Sequence, residues 1–571
     1  MTDRVIPAGA PAGPLGDPTI EPSVRVIPLG GLGEIGLNMM LVEAGEDLLA
    51  IDCGLMFPDD ELPGIDYVIP DFSYLRARRE HLRGVILTHA HEDHIGALPY
   101  LLREFDVAVY GPRMALALAG ERLREHGLLD RARLVPVEPR RAFDVGGFRV
   151  EPIRVTHSVV DGLGYGIETP VGTLVHTGDF KFDSQPIDGE RSDYHRLAEL
   201  GERGVLCLMA DSTNVDRPGT TPSETEVGRA LAERFRRAPG RVILATFASH
   251  VHRIQQVLDL AATFGRRVAL LGRSMETNVR LAAELGYLRV PEGTLLPLEE
   301  LAALPPYRQV ILSTGSQGEP NSALALMAAG EHKYLEAGEG DLVILSARVI
   351  PGHERTITRV VNRLLRRGAE VLWEGVAFVH VSGHASQDEL RLMLSLVRPR
   401  FFVPVHGEYR HLLAHARLAR EVGVPAEHVH VIEDGQGLEL TKTGARALEP
   451  FAVERVLVDG KGVGDVGAVV LRDRQLLAED GMVVVAVTVD RETGAVVAGP
   501  EIASRGWVYE REAEAVLDEA KAALREALAG RSSEGPLARE ALVSLLRGTL
   551  RRFIQQRYDR KPIVLPIVLD A

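Results

Sequence analysis

Cysteine is nearly absent: Cys53 and Cys207 are the two in 571 residues. Both lie in apolar, strand-like runs, so no disulfide framework holds the fold, and a cytoplasmic location fits. Long hydrophobic runs are missing too. No stretch approaches the roughly 20 apolar residues of a membrane span, so no membrane partner is expected. Residues 1–23 are rich in Pro and Gly and carry no apolar h-region, which reads as a flexible tail and not a signal peptide. Lysine is scarce, with six in the chain, and the formal net charge is −15. Phosphate binding needs local positive charge, so this balance argues mildly against nucleic acid. A groove, however, needs only clustered arginine. The pairs Arg140–Arg141, Arg236–Arg237 and Arg366–Arg367 are candidates to line a phosphate path, against the blander reading of solvated surface charge.

The chain is too long for one core, and about three domains are expected. Residues 24–219 are rich in short apolar runs with Gly-containing turns, among them Met39–Val42, Leu48–Ile51, Gly84–Thr88, Arg149–Val155 and Thr173–His176, which read as strands. Helical periodicity appears in Ile95–Arg103 and Met114–His126. Over residues 220–377 strands and helices alternate, from Arg241–Phe247 and Val251–Phe264 to Asp341–Ser346 and Glu354–Arg367, which signals a parallel α/β sheet. The strand-rich texture returns over residues 378–450, so the α/β block reads as an insertion. Residues 451–571 form a separate α+β unit with strands Gly467–Arg472, Met482–Asp490 and Ile563–Leu569 and helices Glu512–Ala529 and Leu537–Tyr558.

The sharpest feature is Thr88-His89-Ala90-His91-Glu92-Asp93-His94-Ile95-Gly96, directly after the apolar run Val85-Ile86-Leu87. A strand-to-helix turn can converge short-armed ligands that one helix or strand would spread apart. Imidazole and carboxylate suit zinc and manganese, and such density in a chain with 19 His is not the pattern of a polar surface loop. His157 and Asp179 also end apolar runs. Each alone would more often be a hydrogen-bonded turn residue; with the first cluster they complete two adjacent metal sites. Gly31-x-Gly33-x-x-Gly36 spells a dinucleotide fingerprint, but no βαβ unit with a suitable acid follows. Those glycines are expected to form a tight turn beneath the metal site.

This set resembles the metallo-β-lactamase superfamily, whose His-x-His-x-Asp-His, later His and later Asp are present in order. The resemblance implies one metal held by His89, His91 and His157, a second by Asp93, His94 and a distant His, and Asp179 bridging both. The inserted block, Asp211 in Ala210-Asp211-Ser212-Thr213-Asn214, His384 in Val381-Ser382-Gly383-His384 and His406 in Val405-His406-Gly407-Glu408 resemble the β-CASP nucleases. By that match His406 completes the second metal, and Asp211 pairs with His384. Leu29–Gly36, Phe57-Pro58-Asp59-Asp60-Glu61, Ser313–Pro320 and Pro404–Arg410 are similar to bacterial ribonuclease J, from about Val24 through Leu569. One departure is His250 in Ala248-Ser249-His250-Val251, where the resemblance leads us to expect Asn.

The resemblance implies the four-layered metallo-β-lactamase sandwich, an inserted β-CASP domain and a C-terminal α+β domain. It implies two divalent ions, zinc or alternatively manganese, that activate the hydroxide attacking phosphorus. Asp179, Asp211 and His384 would be catalytic, with His384 holding the scissile phosphate and Asp211 orienting its ring. Ser249, His250 and Val251, together with His380, Val381, Ser382, Gly383 and His384, would bind substrate. The implied activity is that of a ribonuclease of RNA maturation and decay. It would run 5′ to 3′ from a 5′-monophosphate end, also cut internally, and leave 5′-phosphate and 3′-hydroxyl ends. The implied partners are single-stranded RNA, a second copy through the C-terminal domain, and other RNA-decay proteins. Three rivals remain at this point: a lactonase or thioester hydrolase on the same metal core, a DNA-directed β-CASP nuclease, and a scaffold without activity.

Overall fold

The computed structural model describes residues 21–59, 61–350, 353–460, 462–493, 495–507, 513–532 and 538–571. Most of the expected tail therefore lies outside the described residues, as do Asp60, Glu512 and Leu537. The chain divides into two compact units, one of residues 1–56 and 69–455, the other of residues 57–68 and 456–571.

The first unit is built on two sheets. One has eight strands in the order Ala445–Ala447, Leu438–Leu440, Val24–Gly30, Met39–Ala44, Asp47–Ile51, Leu82–Ile86, Ala108–Gly111 and Arg133–Pro136. The other has six, in the order Phe401–Val405, Val205–Asp211, Gly172–His176, Leu163–Thr169, Phe148–Arg154 and Phe143–Val145. Their apolar faces meet in one core, with Val26, Val42, Leu49 and Ile51 against Val150, Tyr165, Leu174, Met209 and Val403. The outer face of the second sheet is covered by helices Tyr194–Arg203, Gln387–Val397 and Tyr409–Glu421 through Leu197, Leu200, Leu394, Val397 and Leu418. Helix Arg113–Glu125 packs on strands Ala108–Gly111 and Arg133–Pro136 of the first. This is the sandwich expected from the motifs. Cys53 and Cys207 are buried and free.

The insertion is a five-stranded sheet, ordered Arg267–Leu271, Gln309–Ser313, Val242–Ala245, Leu342–Leu345 and Glu370–Leu372. Every ladder in it is parallel. Its strands are continuous apolar runs because helices cover both faces, and Ile243, Ile311, Val343 and Leu364 share one core. The chain returns through Phe401–Val405 to the second sheet and then to the first, where Leu438–Leu440 pairs with Val24–Gly30 and Ala445–Ala447 forms the edge.

In the second unit, strands Val496–Arg505, Met482–Val489 and Ile563–Asp570 form a sheet with Met482–Val489 central. Val483, Val485, Val487 and Val568 pack with Leu524, Leu546 and Leu550 of helices Ala513–Ser532 and Arg539–Tyr558. Strand Tyr67–Ile69 joins Val456–Asp459, so residues 57–68 belong here and not to the first domain as expected. Gly467–Arg472, expected as a strand, opens the helix Ala468–Asp480. Arg474 fixes that helix by donating to the carbonyls of Pro63 and Gly64 and pairing with Asp459. Among the described residues no helix is long and apolar enough to cross a membrane.

Candidate metal centre

The second sheet sets the geometry of the site. Strands Gly172–His176, Val205–Asp211 and Phe401–Val405 are parallel neighbours. Their C-terminal ends place Asp179, Asp211 and His406 side by side, the edge at which open α/β sheets present ligands. Phe148–Arg154 runs in the same direction and delivers His157. The first sheet delivers Asp52 after Asp47–Ile51 and the His-rich turn after Leu82–Ile86.

That turn is not the start of a single helix over Ile95–Arg103. A one-turn helix, Glu92–Ile95, is followed at Leu98–Glu104 by a second that carries Pro99 in its first turn. Proline lacks an N–H and suits a helix start. The carbonyls of Glu92 and His94 accept from Leu55 and Cys53 instead, at 3.1 and 2.8 Å, which locks the turn against the neighbouring strand end.

Four imidazoles surround one buried carboxylate. Asp179 Oδ2 lies 3.6 Å from His89 Nε2, 3.4 Å from His94 Nε2 and 3.8 Å from His157 Nε2, and its Oδ1 is 3.6 Å from His406 Nε2. His91 Nδ1 is 3.0 Å from His89 Nε2 and 3.3 Å from His157 Nε2. Asp93 Oδ2 is 3.6 Å from His94 Nε2 and 3.5 Å from His406 Nε2. His89, His91, His157 and Asp179 thus bring one ligand atom each within 4.8 Å of one another, and so do Asp93, His94 and His406. All seven expected ligands meet at one place.

The other ring nitrogens are held by the protein, which fixes each ring's tautomer and aim. His89 Nδ1 is 3.0 Å from Thr88 Oγ1, and His94 Nδ1 is 2.8 Å from Asp52 Oδ2. His157 Nδ1 donates to the Gly383 carbonyl at 2.8 Å, and His406 Nδ1 is 2.5 Å from Thr213 Oγ1. Asp52 and Thr213 were not among the candidates read from sequence. Asp52 carried the same signal as Asp179, an acid just past an apolar strand, and its φ of 62° marks a left-handed position that few residues adopt.

These residues fit cations. His406 Nε2 is buried without a hydrogen-bond partner. The imidazole nitrogens of His89, His91 and His157, at 3.0 and 3.3 Å, lie close enough to share one ion. Burial pushes His91 down to about 4, and holds His89 and His157 well below the ordinary imidazole range, so they stand as neutral donors. Burial also works to lower His94 and His406, but the surrounding carboxylates outweigh it. Asp179, Asp93 and Asp52 raise His94, while Asp179, Asp211 and Asp93 raise His406 to about 10. Burial works to raise Asp179, yet His406, His94 and His89 hold it well below the carboxylate range. The cluster calls for positive charge beside its carboxylates, which divalent ions supply.

His384 stands at the open edge, about a fifth exposed, with Nδ1 2.7 Å from Asp211 Oδ2. Its carbonyl accepts from Thr221 Oγ1 at 2.7 Å, and Ser386 and Glu389 form a capping box on the helix that follows. Glu389 also takes the N–H groups of Phe182 and Thr221, each at 2.7 Å, tying the segment to the Asp179 loop. Gly383 has to be glycine: a Cβ there would lie 2.6 Å from the His157 ring. The glycine turn behaves as expected, with positive φ at Gly31, Gly33 and Gly36 and Leu32–Gly33 paired with Gly407–Glu408 beside His406.

The two expected substrate segments also meet. The rings of His250 and His380 are 6.4 Å apart, edge to face. The buried Arg253 pairs with Glu224 and donates to the Val379 carbonyl at 2.6 Å, joining the helix after His250 to the loop that carries His380. The His250 ring itself is buried with Nε2 3.2 Å from Glu224 Oε1. At this segment Ser249 is half-buried and Val251 is buried. The arginine pairs do not line the site. Arg140 bonds Asp193, Arg141 bonds Glu138, Arg236 and Arg237 share Glu233, and Arg367 bonds Glu336.

The sandwich, its parallel insertion and the seven-ligand cluster define a metallo-β-lactamase-fold hydrolase of the β-CASP kind. Family models agree: metallo-β-lactamase superfamily over residues 32–234, ribonuclease J β-CASP domain over 239–364, Zn-dependent metallo-hydrolase RNA specificity domain over 369–431, and ribonuclease J C-terminal domain over 469–571. Ribonuclease J 1 of Streptococcus pyogenes serotype M3 is 41% identical over 96% of this chain and 97% of its own length. Ribonuclease J2 of Bacillus subtilis is 38% identical over 96% and 99%. Ribonuclease J of a Synechocystis species is 41% identical over 96% and 88%. The chain belongs to the ribonuclease J family. A solved structure of a protein of unknown function from Enterococcus faecalis V583 shares the fold, with a TM-score of 0.52 over 73% of this chain and 100% of that one at 16% identity.

Asp52→Ala should weaken metal binding on the His94 side by about 10–100-fold and leave the His89–His91–His157 side nearly intact. Asp52→Asn, which keeps an oxygen acceptor, should recover part of the loss. Metal titration followed by calorimetry reads the two sites; equal weakening at both would remove the positioning role of Asp52.

Proposed function

We propose that this chain, a hydrolytic metal-dependent ribonuclease by its family and domains, degrades single-stranded RNA from a 5′-monophosphate end and also cuts internally. The observation that carries the reading is the buried cluster of seven ligand side chains with His384 at its open edge. His89, His91, His157 and Asp179 would hold one ion, and Asp93, His94, Asp179 and His406 the other. Zinc suits this donor set, with manganese as the alternative. When bound, the ions supply the acidity that makes water nucleophilic near neutral pH and the positive charge that phosphate oxygens need.

The chain's own residues do the rest. Asp211 and the carbonyl contacts of Thr221 and Asn214 fix His384 in backbone and ring. His384 holds the scissile phosphate and assists the leaving oxygen. None of these groups needs the 2′-hydroxyl, and the products carry 5′-phosphate and 3′-hydroxyl ends. Ser249–Val251 and the backbone N–H groups of Val381–Gly383, set together by the Arg253–Glu224 pair, would form a small pocket for a terminal monophosphate. A triphosphate is larger and more charged and does not fit. Work in the cytoplasm alongside other RNA-decay proteins belongs to the same proposal.

We assign dimer formation to the C-terminal unit. Helices cover one face of its sheet, whereas Leu565, Ile567 and Leu569 on the other are 47%, 38% and 52% exposed. Sheet faces of this kind are rarely left to water. A second copy would cover this one.

Three outcomes are expected. RNA with a 5′-monophosphate should release mononucleotides processively, and 5′-triphosphate RNA of the same sequence should be cut slowly and internally. Equal exonuclease rates on the two, read with label at either end, would remove the pocket while leaving the metal chemistry. His384→Ala should retain both metals and bind RNA yet cleave about 10²–10⁴-fold more slowly; loss of one metal equivalent would make His384 a ligand instead. Leu565→Asp with Ile567→Asp should halve the mass seen by light scattering, and an unchanged mass would rule out this face. Point changes are the right test, because truncation after Pro450 would strip strand Tyr67–Ile69 of its partner.

A further inference from the structure

Arg348 stands apart from the other arginines. It follows strand Leu342–Leu345, at the C-terminal edge of the parallel sheet of the insertion, where such sheets bind ligands. The side chain is half-buried, and Nη1 donates to Asn214 Oδ1 at 3.2 Å. Asn214 Nδ2 in turn donates to Ser386 Oγ at 3.1 Å and to the His384 carbonyl at 3.4 Å. Arg348 therefore reaches from the insertion to the core and lies one residue away from His384.

Its electrostatic surroundings are unbalanced. Arg217 stands on the same turn as Asn214, its N–H donating to the Asn214 carbonyl at 3.0 Å. Among the described residues no carboxylate lies within ion-pair distance of Arg348 or of Arg217. Burial lowers the Arg348 pKa, and Arg217 and Arg410 lower it further, with Glu374 the one acid opposing them. Arg410 is already matched by Asp216 and Glu408. A half-buried guanidinium with like charges around it is costly until an anion arrives. A guanidinium meets phosphate oxygens with a planar fork of donors, and two of them can share one phosphate.

We infer that Arg348 and Arg217 grip a backbone phosphate of the RNA beside the reaction centre, one from the insertion and one from the core. The inference rests on the ribonuclease reading above. It also gives the negatively charged chain a local anion site that its surface arginine pairs do not provide. Asn214 aims the Arg348 fork and couples it to the His384 backbone, so that a gripped strand and a correctly placed His384 go together.

The test uses the metal-loaded full chain, a 5′-monophosphorylated single-stranded oligoribonucleotide and the small diester bis(p-nitrophenyl) phosphate. In Arg348→Ala and Arg217→Ala, KM for RNA should rise about tenfold, equivalent to about 1.4 kcal/mol. The slope of log KM against log salt should shrink by about 0.7 for the lost phosphate contact. The two losses should not add in the double variant, because one phosphate is shared. Arg348→Lys should restore part of the salt dependence and little of the KM. The loss on RNA should exceed the loss on the small diester by about tenfold. An unchanged salt slope, or equal losses on the two substrates, would overturn the grip and leave Arg348 as a support for Asn214. If the parent protein hydrolyses the small diester but not RNA, the ribonuclease reading falls and the grip falls with it.

Discussion

The Asp179 carboxylate, buried among four imidazoles from three separate segments, is the constraint to which the rest of the first unit answers. Taking an ion out of water costs several kcal/mol unless its charge is matched. Matching it here needs rings from both sheets, each arriving within about an ångström of its place. Strand ends provide that accuracy, because a strand locked in a packed sheet delivers its next residue to a fixed point. The sandwich core between Val42, Ile51, Tyr165 and Met209 is therefore also the scaffold of the site. The partners behind the rings complete the arrangement: Thr88, Asp52, Gly383 and Thr213 hold the nitrogens that do not face Asp179.

Polar contacts join the insertion to the rest of this unit. Its sheet has a core of its own. The joints to the lactamase halves are Arg253 on Val379, Arg348 on Asn214, and Arg280 on Glu121 at 2.7 Å. Between the two parts lies a cavity of about 380 Å³, with Arg113, His157 and Asp161 on the core side and His252 and Tyr287 on the other. Met114 N–H donates to Asp161 at 2.9 Å, and burial pushes that carboxyl up to about 6.

Much of this was legible in sequence because the site is local in origin. The ligands lie at the ends of apolar runs, and a run followed by His or Asp is visible without a structure. The alternation of strands and helices across 220–377 likewise marked the parallel sheet. What escaped reading depended on distant partners. Asp52 looks like any acid after a strand until His94 is placed beside it. Gly467–Arg472 has the apolar run of a strand, yet it becomes helix because Arg474, one turn on, finds the carbonyls of residues 63 and 64. That residues 57–68 group with the C-terminal unit and not with the first domain was hidden for the same reason, since a three-residue strand shows no partner preference. The Arg pairs misled because five of the six arginines are matched by nearby acids, Arg236 and Arg237 sharing Glu233.

That last point bears on how a chain of net charge −15 handles a polyanion. Net charge sets the distant field, which falls off within a Debye length of about 8 Å at physiological salt. Inside the cleft what matters is which charges remain unmatched. Nearly every arginine discussed above is neutralised by a carboxylate, so those residues add little positive potential. Arg348 is not matched in this way: it donates to Asn214, which in turn contacts the His384 carbonyl. Together with the ions that the seven ligands would hold, it puts positive charge beside the reaction centre, where a bound strand would meet it whatever the sign of the distant field.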